Sequence, residues 1–307
     1  MIANELNAMF GIPGAFTLQE TAHGLVKANI STPEASAANY LQGAHLTQWQ
    51  PAGESPVLFL GERSRLSPGD AIRGGIPLVF PWFGLRDGEM PAECLNRLHG
   101  FARTSLWTLQ SASLSDGNLE IKHSLSPDAL ARALGFDSYR LEYTMRIGKN
   151  LELELTTHNE GAQTLRFEEA LHTYIAIGNI ARTSLGGLAG GFYLDAADRF
   201  AEKRQAEAAL RFSGETNRLY QNTAATCVLH DEGNGRLISI EKSGSRSTVV
   251  WNPGEETAEA FPDLDPGDWR RFVCVETANV RSDAVALAPG ATHKMGVRIT
   301  VRPDHRA

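Results

Sequence analysis

Apolar residues along this chain recur at every second position in short runs, each closed by Gly, Pro, Asn or Asp. Leu151-Glu152-Leu153-Glu154-Leu155 alternates strictly, placing leucines on one face and carboxylates on the other, as a half-buried antiparallel strand requires. Residues 295–301 repeat the alternation near the C-terminus, and residues 247–251 run into the turn sequence Asn252-Pro253-Gly254. Residues 57–60, 237–240 and 272–275 predict further strands. Helical patterns are confined to residues 5–10, to 128–134 after Ser126-Pro127, and to part of 199–210. The regular alternation of strand and crossover helix that builds a parallel sheet is missing. The pattern therefore predicts an all-β, antiparallel sandwich with a few short helices. No internal repeat, low-complexity tract or Pro- or Ser/Gly-rich linker divides the chain. Residues 1–307 read as one domain, an N-terminal segment over 1–20 followed by the sandwich over about 21–303.

Composition changes this picture little. The chain has 29 Lys and Arg against 36 Asp and Glu, a formal charge of −7, which argues against a sequence-independent nucleic-acid binder but not against a small anionic ligand held by a few arginines. Three scattered cysteines, Cys94, Cys227 and Cys274, fit neither a disulfide framework nor a clustered zinc site. No apolar run approaches the ~20 residues that cross a bilayer, and the N-terminus lacks the layout of a signal peptide. The expectation is a cytoplasmic monomer that uses no membrane, nucleic acid, metal or cofactor.

Two long loops stand out as places for a site. Residues 69–84, GDAIRGGIPLVFPWFG, surround Arg73 with glycines, prolines and aromatics. Residues 252–269 are acidic and proline-punctuated, and lead into the strand that carries Glu276. On a strand of period two, Glu168, Ala170, His172 and Tyr174 share a face, which sets an imidazole in a row with a carboxylate and a phenol. Glu276 ends the apolar run Phe272-Val273-Cys274-Val275, where a carboxylate needs a partner or a cavity. His172 and Glu276 together form an acid–base pair that only the fold can bring together. Arg73 and Arg103 are candidate anion forks, His99 sits in Leu98-His99-Gly100-Phe101-Ala102-Arg103, and Asp195 could accept hydrogen bonds from sugar hydroxyls. Each also fits a plainer role: a hydrogen-bonded core histidine, a strand-end glutamate in solvent, a surface salt bridge, a turn aspartate. HExxH, paired CxxC, GxxxxGK[ST] and GxSxG are missing.

Taken in order, the segments Ile72-Arg73-Gly74-Gly75-Ile76-Pro77, Phe80-Pro81-Trp82-Phe83-Gly84, His99-Gly100-Phe101-Ala102-Arg103, Ala170-Leu171-His172-Thr173-Tyr174, Gly187-Leu188 with Tyr193-Leu194-Asp195, Trp251-Asn252-Pro253 and Val275-Glu276 resemble the glucose-6-phosphate 1-epimerases. These form the hexose-6-phosphate mutarotase branch of the aldose 1-epimerase superfamily, and the resemblance runs from about Gly43 to Val301. It implies a galactose-mutarotase-like β-supersandwich. It also implies roles at matching positions: His172 and Glu276 catalytic, Arg73, Arg103 and Asp195 on the substrate, His99 in the pocket. One departure is Leu98, where the family often has a polar residue.

The resemblance implies the interconversion of the α and β anomers of a hexose 6-phosphate, glucose 6-phosphate foremost. Glu276 is expected as the base at O1 and His172 as the acid at the ring oxygen, exchanging roles on closure, with Arg73 and Arg103 on the phosphate. The competing readings are a non-catalytic sugar-binding sandwich, with Trp82, Phe83 and Trp251 stacking on sugar faces, and a metal-dependent β-barrel enzyme. The scattered histidines argue against the second.

Overall fold

The computed structural model describes residues 2–85 and 98–304; Cys94 lies outside them. Among these residues, two large antiparallel sheets carry most of the chain. The first has nine strands, in the order Ala209–Arg211, Thr183–Gly186, Cys227–Asp231, Arg236–Ser243, Thr292–Pro303, Leu151–Asn159, Tyr139–Ile147, Asn118–Leu125 and Thr108–Ser115. The second has eight: Ala201–Arg204, Phe192–Asp195, Thr216–Tyr220, Ser247–Asn252, Phe272–Asn279, Glu169–Leu171 and Leu78–Val79, with Tyr174–Ala176 also paired to Phe272–Asn279. A four-stranded sheet, Phe16–Glu20, Val26–Ser31, Ala35–Tyr40 and His45–Pro51, completes the frame.

The alternation in the sequence dictates which faces meet. Leu151, Leu153 and Leu155 are buried while Glu152 and Glu154 are not, and Met295, Val297 and Ile299 beside them join the same core. From the eight-stranded sheet, Val250, Val273 and Val275 enter that core, so the apolar faces of the two sheets share one interior. Removing this apolar surface from water is the dominant stabilising term.

Strands form where residues 151–155, 237–240, 247–251, 272–275 and 295–301 predict them, and a helix forms at Ile2–Phe10. A second helix, Ala129–Ala133, starts where Asp128 accepts a hydrogen bond from the Ala131 N–H at 2.7 Å, the N-cap arrangement. Two expectations fail. Residues 57–60 make isolated bridges, Leu58 to Ile175 and Leu60 to Gly74, in place of a regular strand. Residues 199–210 are not helical: Arg199 and Phe200 adopt left-handed φ values of 51° and 59°, and Ala201–Arg204 then pairs with Phe192–Asp195. Sheet pairing here overrides the helix-favouring composition.

Candidate active site

Antiparallel register explains how two residues far apart in sequence meet. Glu169–Leu171 and Tyr174–Ala176 pair with Phe272–Asn279 in one common register, with Leu171 opposite Thr277 and Tyr174 opposite Cys274. The ladder lapses at His172 and Thr173, where the His172 N–H turns to the Pro77 carbonyl, but the register still sets His172 across from Glu276. Their side chains approach to 3.4 Å, Nε2 to Oε1. Next along the register, Val249 pairs with both Glu276 and Leu219, and Trp251 with Asn217. Because side chains alternate across a strand, these residues share the sheet face directed away from Val250, Val273 and Val275. On that face they line a cavity of about 220 Å³, together with Arg73, Phe83, Leu98 and His99.

Both members of the pair are buried. Burial drives the Glu276 carboxyl well above its ordinary range. It also brings His172 down to about 3, with Arg103 and Arg73 adding to the effect. Burial thus favours the uncharged form of both groups in the ligand-free site. The Nδ1 of His172 and the second oxygen of Glu276 have no hydrogen-bond partner among the described residues, so the site holds donor and acceptor capacity that none of these residues satisfies.

Neighbouring groups fix the imidazoles. The ring of Tyr174 stacks on His172, 4.9 Å between centroids and 12° between planes, and the rings of Trp251 and His99 meet His172 edge-on at 6.1 and 5.4 Å. His99 has φ 66°, unusual for a residue other than glycine; its N–H donates to the Gly84 carbonyl and its Nδ1 accepts from the Gly84 N–H. Burial, then Arg103, His172 and Arg73, push His99 well below its ordinary value. The neutral ring thus carries its proton on Nε2. Gly100 follows because a Cβ there would lie 2.0 Å from the Phe80 carbonyl oxygen. Gly74, beside Arg73, is required for the same reason, with the Phe59 oxygen 2.4 Å away.

Arg73 lines the cavity and donates to Asp263 and to the Tyr174 hydroxyl, each at 3.1 Å. Burial opposes its charge, but Tyr174 and Asp263 hold the guanidinium above its ordinary value. Arg103 is half-buried and reaches the wall indirectly: its Nη2 donates to the carbonyl of Leu98 at 2.7 Å. Burial brings it down to about 10, with Tyr174 opposing the shift and Arg73 adding to it. Asp195 is placed beside the cavity. Its carboxylate binds Lys203 at 2.8 Å and caps a short helical turn through the Ala197 N–H, while Ala196 reaches the lining. Of the three aromatics expected on a sugar face, Phe83 and Trp251 line the cavity and Trp82 is buried against Phe101 and Phe136.

Tyr174, which the strand period sets in a row with His172, does support that ring, but local sequence gave no sign of Phe200, Phe261 and Arg281 in the lining. Nor did it mark His45, which is fully buried and bonded through Nε2 to the Gly74 carbonyl at 2.7 Å. Phe200, Arg281 and His45 lie in none of the motifs quoted above, and only the fold gathers them. Size alone does not choose the site. A hollow of about 740 Å³ on the outer face of the nine-stranded sheet is lined by Arg140, Glu142, Arg146, Glu154 and Lys294, and these already pair with one another or with adjacent carboxylates.

Known proteins share this fold. The model of the aldose 1-epimerase family matches residues 27–300. An Escherichia coli (strain K12) protein, provisionally named glucose-6-phosphate 1-epimerase, is 34% identical over 250 residues, 81% of each chain. A crystal structure from Salmonella typhimurium, provisionally described as a mutarotase, superposes with a TM-score of 0.88 at 27% identity, covering 99% of this chain and 100% of that one. Galactose 1-epimerase from Lactobacillus acidophilus NCFM shares the fold, with a TM-score of 0.69 at 15% identity over 94% of this chain and 98% of its own. With its galactose-mutarotase-like sandwich and its buried imidazole–carboxyl pair, the chain belongs to the aldose 1-epimerase family.

Proposed function

We propose that the protein interconverts the α and β anomers of hexose 6-phosphates, glucose 6-phosphate foremost, by acid–base ring opening and closure. The observation that carries this reading is the contact of His172 Nε2 with Glu276 Oε1, 3.4 Å apart in a cavity lined by both. Mutarotation needs one group to take the proton from the C1 hydroxyl and another to give one to the ring oxygen. The C1–O5 bond then opens to the aldehyde, the chain turns about C1–C2, and closure on the other face returns both protons. The pair holds the one proton this cycle requires.

Glu276 as base and His172 as acid is the ionised tautomer of the pair, with the same proton count as the neutral one that burial favours in the empty site. Arg73 and Arg103 oppose the imidazolium. A phosphate dianion bound to these arginines offsets their charge, and so favours the proton on His172. The phosphate also gives binding energy away from C1, holding one end of a sugar whose other end rotates. The neutral His99 Nε2–H supplies a donor for a hydroxyl or the ring oxygen. General acid–base action contributes typically ~10²–10⁴-fold, and orientation of the open chain supplies more. The reading as a non-catalytic sugar-binding sandwich gains no support from a family of epimerases or from a buried pair with unsatisfied atoms.

The test is the rate of anomer exchange, followed by NMR saturation transfer, for glucose, galactose and mannose 6-phosphates against the free sugars. Faster turnover of the phosphates supports the reading, and equal turnover removes the phosphate from it. Arg73→Ala is expected to raise KM for glucose 6-phosphate about tenfold or more, and to affect glucose far less; an equal effect on both would end the clamp assignment.

A further inference from the structure

Arg281 is the one cavity-lining residue that combines a cationic side chain with no carboxylate at ion-pair distance among the described residues. Its turn follows directly on Phe272–Asn279, the strand that carries Glu276. It adopts φ 57°, a conformation that side chains other than Gly, Asn and Asp adopt at a cost. Three anchors hold it there. The Arg281 N–H donates to Glu168 Oε1 at 2.6 Å. Gln221 Oε1 accepts from the Ser282 N–H and hydroxyl. Asp283 accepts from the Ser247 hydroxyl and the Asn222 N–H. The other oxygen of Glu168 accepts from the Phe83 N–H at 2.8 Å, so one carboxylate fixes two walls of the cavity relative to each other.

The side chain is presented as deliberately as the backbone. The Arg281 guanidinium lies 4.5 Å from the centre of the Phe200 ring. Phe200 is itself left-handed, 44% exposed, and part of the cavity lining. Stacking on an aromatic face restrains a guanidinium while leaving its in-plane N–H donors outward. Arg73, by contrast, already directs donors to Asp263 and Tyr174, and Asp263 balances its charge. Leu98 contributes an apolar contact to the same small cavity.

We infer that Arg281, pinned by Glu168 and laid on Phe200, is a specificity-determining contact for the phosphate of the substrate, acting with Arg73. This rests on the hexose-phosphate reading above and adds to it a second residue that discriminates phosphorylated from free sugar. A guanidinium without a competing carboxylate gives a phosphate oxygen a charge-assisted hydrogen bond. It stands at the mouth of the site, where it is exposed to solvent and can meet the anion as it enters.

The experiment is an NMR titration of the full-length protein with glucose 6-phosphate, inorganic phosphate and glucose. Wild type is compared with Arg281→Asn, which suits the left-handed backbone, and with Arg281→Lys, which keeps the charge. The expected result is that Arg281→Asn lowers the ratio of glucose 6-phosphate to glucose affinity about tenfold or more and weakens inorganic phosphate alongside, with Arg281→Lys recovering part of the loss. A proportional loss for both sugars, the mark of a purely structural role, overturns the assignment, and so does an unchanged ratio. A wild type that binds glucose 6-phosphate yet exchanges its anomers no faster than buffer defeats the catalytic reading, while the ratio still decides the role of Arg281. A wild type that binds neither phosphate overturns both.

Discussion

At the scale of single residues, the site is governed by desolvation. In water at neutral pH a glutamate is charged and a histidine partly so, and burial moves Glu276 and His172 toward neutrality from opposite directions. The result is a donor and an acceptor in contact with no net charge, so the cavity accepts a neutral sugar ring without first breaking a strong ion pair. The imidazole ¹⁵N resonances of His172 in the ligand-free protein are therefore expected to keep the neutral pattern from pH 8 down to about 4, since its pKa is brought to about 3. A midpoint near the ordinary 6.5 would contradict the account. Strand pattern and short motifs made both residues candidates. Their mutual contact came from a register that no local pattern encodes.

At the scale of elements, alternation was readable wherever one face of a strand meets the core, as at Leu151–Asn159 and Thr292–Pro303. It misled where backbone pairing is irregular. Residues 57–60 have the apolar content of a strand, but the Val57 N–H goes to Trp49 and the Phe59 N–H to Tyr174, so they bridge two sheets and belong fully to neither. Residues 199–210 mix Ala, Glu, Lys and Arg as helices do, yet two left-handed residues redirect the chain into a hairpin that brings Phe200 to the cavity.

Connections of this kind are held by buried polar groups. Arg236, 2% exposed, pairs with Asp231 at 3.0 Å and donates to the carbonyls of Ser55, Pro56 and Ala176. It thereby ties the hairpin of Cys227–Asp231 and Arg236–Ser243 to the segment that runs into residues 57–60. Arg236→Ala strands a buried carboxylate and is expected to destabilise the protein by about 3–5 kcal/mol, read as a lowered midpoint in urea unfolding. A change below about 1 kcal/mol would show that the pair contributes little.

At the scale of the whole molecule, two sheets share a core on their inner faces, and the eight-stranded sheet lines the candidate cavity with its other face. The all-β class followed from strand density. The gathering of residues 73, 99, 172, 249 and 276 around one cavity did not, because it depends on which strands become neighbours. Among the described residues the fold also buries four histidines in neutral form: His45 at about 4, His123 at about 3, His172 at about 3 and His99 well below its ordinary value, each lowered chiefly by burial. Unfolding lets each take a proton below about 6.5, so between pH 6.5 and those values the unfolded state binds more protons and stability falls as pH falls. Glu276 acts in the opposite sense, its raised pKa weakening the fold as pH rises above the ordinary 4.5.

His123 makes the cleanest probe, because neither ring nitrogen has a partner among the described residues. It faces Tyr143 across the ladder, remote from the cavity lining. In His123→Leu the loss of stability between pH 7 and pH 4 is expected to shrink by about 3 kcal/mol, measured by urea unfolding at the two pH values. An unchanged pH dependence would mean that His123 does not resist protonation in the folded state.

The central claim is that a contact between one imidazole and one carboxyl performs ring opening. Its most direct test is NMR saturation transfer between the anomers of glucose 6-phosphate, with wild type, His172→Asn and Glu276→Gln compared at equal concentration and with folding verified for each. The account predicts catalysed exchange for wild type and a fall of about 10²-fold or more in both variants. Either variant exchanging anomers at close to the wild-type rate would contradict it.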